Sequence, residues 1–77
     1  MAIGFVLITT QPGKEHEVRA TLDGIEFVTD RWMLFGEYDL IARVQAEDEY
    51  TLTRCIVEEI RVIEGIADTK TLIGAEL

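Results

Sequence analysis

Among its 77 residues the chain has one cysteine, Cys55, one proline, Pro12, and one histidine, His16. A single thiol cannot form an internal disulfide, so nothing covalent staples the fold. Basic residues are also scarce: seven Lys and Arg stand against fifteen Asp and Glu, a formal charge of -8. Those seven, Lys14, Arg19, Arg31, Arg43, Arg54, Arg61 and Lys70, are scattered without a basic stripe, which argues against direct binding to nucleic acid. No apolar run approaches the length needed to span a bilayer, and residues 3–8 lack the basic flank of a signal peptide, so neither membrane nor export is implied. With the lone thiol, a cytoplasmic location is the expectation.

Chemical signatures are equally sparse. No nucleophile–base pair, phosphate loop or zinc spacing occurs. His16 sits in "KEHE", where Glu15 and Glu17 project from other faces of a helix, so it gathers no metal-ligand set. Cys55 adjoins an apolar helical stripe and reads as a buried, inert thiol. Glu47-Asp48-Glu49 reads as a helix start and Glu58-Glu59 as a solvated face. The aromatics fall mostly within strands without interleaved basic residues, as packing rather than base stacking requires. Neither a cofactor nor a catalytic group is expected.

What the sequence does have is hydrophobic content, 48%, enough to exclude disorder. Residues 1–77 form one domain, which as a monomer would bury only roughly 60% of its extended surface and be marginal alone. Oligomerisation is the usual remedy.

Residues 3–10, "IGFVLITT", are β-rich and apolar on both faces, predicting a covered strand. "QPGKEHEV" supplies a helix start with Pro12 in the first turn; Val18, Leu22 and Ile25 form its stripe, and Asp23-Gly24 ends it. A second strand is predicted over 26–35 and a third over 38–46, joined by Gly36 and Glu37 as a type II′ hairpin whose first central position needs a positive φ. "EDEYTLTRCIVEEIRVIEG" predicts the longer helix, N-capped by Asp48, striped by Leu52, Ile56, Ile60 and Ile63, and stopped by Gly65. The last strand runs over 66–75, with Thr69 and Thr71 on one face and Lys70 and Leu72 on the other.

The order βαββαβ predicts an α+β, ferredoxin-like sandwich: a four-stranded antiparallel sheet in the order 4-1-3-2 with both helices on one face. Two helices cover one face only, yet the first two strands are apolar on both. A second copy packed sheet to sheet would cover the exposed patch, so a homodimer is expected.

In "FGEYDLIARV", residues 35–44, Gly36 is explained by its turn, but Asp39 heads a strand whose other residues are buried, and aspartate is depleted in strands. It either accepts hydrogen bonds from the turn's own amides or holds a ligand. Thr69 and Thr71 are ordinary β-branched strand residues unless a ligand uses their hydroxyls.

Through "GFVLITTQPGKEHEV", "FGEYDLIARV" and "IEGIADTKTLI", the chain closely resembles the ligand-binding and oligomerisation domain of the Lrp/AsnC family, the RAM domain, over essentially its whole length. Family regulators carry a helix-turn-helix domain before this one, whereas here the chain starts at the first strand, so a stand-alone RAM protein without the DNA-binding half is expected. The resemblance implies an amino acid effector bound in clefts between sheet-to-sheet dimers that assemble into octamers or decamers, and a full-length Lrp/AsnC-type regulator as partner. It implies site roles too. Amides of the Gly36 turn would hold the effector's carboxylate, Asp39 its ammonium, and Thr69 and Thr71 the remaining polar shell; Tyr38 would wall the cleft, and Glu37 would face the ammonium or side chain. Two rivals stand beside it. A small dimeric α/β-barrel oxygenase shares the dimer and the "PGKE"-like helix start but usually places histidine inside, and a purely structural assembly module would leave the cleft unfilled.

Overall fold

Alternation decides the first strand. In the computed structural model, which describes residues 1–74, β1 (Ala2–Thr10) buries Ala2, Gly4, Val6, Ile8 and Thr10 on one face and leaves Ile3, Phe5, Leu7 and Thr9 half-buried on the other. Then follow α1 (Glu15–Asp23), β2 (Val28–Met33), β3 (Leu40–Ala46), α2 (Glu49–Cys55) with a π-helical turn over Ile56–Ile60, and β4 (Ile66–Ile73). The sheet runs β2-β3-β1-β4, every neighbour antiparallel. This is the predicted ferredoxin-like topology.

The core lies between sheet and helices. Val6 and Ile8 of β1, Leu40, Ala42 and Val44 of β3, Val18 and Leu22 of α1, and Leu52 and Ile60 are fully buried there. Gly65 ties the helix layer to the sheet: its carbonyl accepts from the Gln11 amide at 2.8 Å, and a Cβ at its φ of +102° would press on Lys14 and Val18 at 3.1 Å. No other residue type fits that conformation and that gap without strain.

Several boundaries differ from the sequence reading. Pro12 lies outside α1, in a turn completed by Gly13 at φ +82°, and Lys14 occupies the N-cap. The second strand is shorter than 26–35 and the third starts at Leu40, not at position 38. The link is therefore no two-residue type II′ turn. The Leu34 amide donates to the Asp39 carbonyl at 2.9 Å, closing a wider loop around residues 35–38, although Gly36 does take a positive φ, +132°. The longer helix ends early: Asp48 caps it through the Thr51 amide at 2.7 Å, but the Arg61 amide reaches back five residues to Ile56 at 2.9 Å, widening the last turn. Crowding by the β-branched pair Ile56-Val57 is a physical reason for that relaxation. Position 75, the expected end of the last strand, lies outside the described residues.

The opposite sheet face carries Ile3, Phe5 and Leu7, half-buried, with Ile41 opposite Leu7, and Trp32 and Leu72 about half exposed at 48% and 50%. No element of this chain among the described residues covers it.

Candidate functional site

Asp39 is tied to a residue 29 positions away. Its Oδ2 accepts from the Thr10 backbone amide at 2.8 Å and from the Thr10 hydroxyl at 3.2 Å, while its own amide donates to the Ile8 carbonyl at 2.8 Å. The carboxylate thus continues the β1–β3 ladder by one side-chain rung beyond the pair Ile8 and Leu40. The turn's own amides are not its partners, which corrects that reading of Asp39. Thr10 is buried and polar, and this carboxylate satisfies its hydroxyl.

Beside Asp39 the start of α1 and the β2–β3 link flank an open cavity of about 290 Å³, lined by Glu15, His16, Met33, Leu34, Phe35 and Asp39. The topology brings these segments together because β1 delivers the chain to α1 at the sheet end where β2 turns into β3. Lys14 at the N-cap gives the first-turn amides no side-chain acceptor. The cavity therefore offers carboxylates, an imidazole and an apolar wall, with the start of α1 beside them.

Of the residues predicted to bind the ligand, Asp39 alone is among the described residues lining this cavity. Gly36, Glu37 and Tyr38 lie in the adjoining loop, Glu37 exposed and Tyr38 half-buried. A Cβ on Gly36 would meet no atom within 4 Å, so its φ alone calls for glycine. Thr69 and Thr71 lie opposite Ile8 and Val6 on β4, on the helix side of the sheet, with the whole of β1 between them and Asp39 on the β3 side. One copy does not bring the two sets together. Glu15, His16, Met33, Leu34 and Phe35 were missed as cavity residues. Glu15, His16 and Phe35 belong to segments carrying the family resemblance, whereas Met33 and Leu34 lie outside them.

Elsewhere, Cys55 is buried beside a second cavity of about 240 Å³, its thiol pushed up to about 11 by burial and by Glu59. Arg54 spans Glu58 at 2.7 and 3.1 Å and lies 5.7 Å from the Tyr50 ring centre. Arg31 of β2 is paired with Asp23. Among the described residues no cluster of three or more His, Cys, Asp or Glu side chains could hold a metal, and no helix is long and apolar enough to cross a membrane.

Residues 3–75 match the pattern of the Lrp/AsnC ligand binding domain. The crystal structure of FFRP-DM1 superposes with a TM-score of 0.93 at 36% identity, covering 97% of this chain and 100% of that one. The hypothetical protein PHS023 from Pyrococcus horikoshii superposes at 0.91 with 35% identity, over 100% and 93% of the two chains. The HTH-type transcriptional regulator PH1916 of the same species is 28% identical over 73 residues, and the chain spans 49% of its length. A complex of NMB0573 with L-Met from Neisseria meningitidis shares the fold at a TM-score of 0.84 and 14% identity, over 97% of this chain and 50% of that one.

Proposed function

The chain belongs to the Lrp/AsnC ligand binding domain family, and from that premise we propose that it binds a free amino acid at the Asp39 cavity and that binding controls its assembly. The cavity itself carries the reading: a site of single-amino-acid size, about 290 Å³, joins carboxylate, helix-start donors and an apolar wall where the hairpin meets α1. The L-Met complex of the fold relative NMB0573 supports the ligand class. In this reading Asp39 holds the ammonium, amides of the Gly36 loop and the α1 start hold the carboxylate, and Tyr38 and Glu37 flank the entrance.

Assembly follows from where the other polar residues lie. Thr69 and Thr71 are separated from Asp39 by β1, so a ligand touching both sets is held by two copies. Dimers paired through the sheet face and joined at such shared sites give octamers or decamers. The amino acid then stabilises whichever assembly completes its site, by mass action. A full-length Lrp/AsnC regulator, forming mixed assemblies, is the proposed reader of that state. Chemistry on the ligand has no place in this reading, because a binding equilibrium is all it requires.

The test is a thermal-shift series across the amino acids, comparing wild type with Asp39→Ala. At least one amino acid should raise the melting temperature of wild type and leave that of the variant unmoved. A flat series for wild type rejects the sensor reading, and equal shifts in both proteins reject Asp39 as its site.

A further inference from the structure

We infer that the amino acid this cavity selects has a cationic side chain, with Glu15 as the residue that sets the preference; the inference rests on the amino acid reading above. Among the described residues, two carboxylates, Glu15 and Asp39, line the cavity, and no Lys or Arg does. The basic residues of the flanking elements are placed elsewhere. Lys14 is paired with Glu17 at 3.1 Å and lines a different cleft with Gln11 and Gly65, Arg31 is paired with Asp23, and Arg19 is exposed on α1 outside the cavity. His16 supplies the remaining titratable group.

An amino acid brings one ammonium and one carboxylate. Asp39 has one oxygen engaged by Thr10 and takes the ammonium with the other. Glu15 is then left facing the ligand's side chain. A neutral side chain leaves that carboxylate without a counter-charge beside the ligand's own carboxylate, and like charges at close range oppose binding. A cationic side chain pairs with it. The wall of Met33, Leu34 and Phe35 suits the same ligand, since the aliphatic stem of a lysine-like side chain covers apolar surface while its charged end reaches a polar group.

Calorimetric titration of the 77-residue protein with L-lysine, L-norleucine and L-methionine tests this. Norleucine is lysine without its terminal amine. Lysine should bind about tenfold more tightly than norleucine, a ratio typical of one partly exposed charge pair. Glu15→Gln, at a half-buried position of the first turn, should reduce that ratio to near one by weakening lysine and strengthening norleucine, with the melting temperature of the free protein unchanged. If norleucine or methionine binds wild type as tightly as lysine, the cationic preference is wrong and the amino acid reading stands. A preference that survives Glu15→Gln removes Glu15 from the role. No binding by any amino acid would overturn both readings together.

Discussion

Asp39 stands at the head of β3, a position where strands disfavour aspartate, and Thr10 explains its presence. The carboxylate satisfies an amide and a hydroxyl that the end of β1 would otherwise leave unpaired, with Thr10 only 6% exposed. Removing a partner from buried polar groups costs their desolvation, so Asp39→Ala should lower unfolding free energy by about 1–3 kcal/mol, and Asp39→Asn, which keeps an acceptor, by less. Urea denaturation of the three proteins checks the order. The sequence marked Asp39 as unusual from its neighbours alone. It could not supply Thr10, because side-chain rungs between residues 29 apart leave no local pattern. For the same reason Glu15 and His16 were read as an ordinary helix start, although the fold sets them against Met33 and Asp39.

At the scale of elements, periodicity located all four strands and both helices, and the capping residue of α2 was legible as Asp48. The Thr51 amide holds the Asp48 carboxyl below its usual 3.8. A carboxyl lowered on folding contributes stability above its unfolded value and loses it as pH falls through the folded one. Asp48→Ala should therefore melt lower than wild type at neutral pH, and the difference should close well below pH 3.8; thermal melts across that range measure it. What periodicity did not reveal was where regular bonding stops. The stripe of Leu52, Ile56 and Ile60 continues through the π-helical turn without a break, because burial depends on the facing side and not on which carbonyl each amide reaches. The hairpin likewise read as two residues because Leu34 and Phe35 are apolar, whereas they project from a loop closed by Leu34 and Asp39, with Phe35 fully exposed.

For the whole molecule, the apolar face opposite the helices is the dominant feature, and no element among the described residues covers it. Ile3, Phe5, Leu7 and Ile41 follow the centre of that face, flanked by Trp32 and Leu72. Leu7→Glu should give a folded monomer, with far-ultraviolet circular dichroism unchanged and the sedimentation coefficient of a single chain, if a second copy covers that face. Topology and the open face could be read from sequence because both follow from strand patterning and element order. The proposed site residues could not be placed that way, since Asp39 and the pair Thr69 and Thr71 lie on opposite sides of β1 and one copy does not bring them together.

The proposed coupling of ligand to assembly is measured most directly by sedimentation velocity during titration with amino acids. It predicts that, for the amino acid that raises the melting temperature, the wild-type weight-average mass climbs above that of the dimer as ligand is added and that Asp39→Asn loses the response. An amino acid that saturates the protein calorimetrically while the mass distribution stays fixed would contradict it.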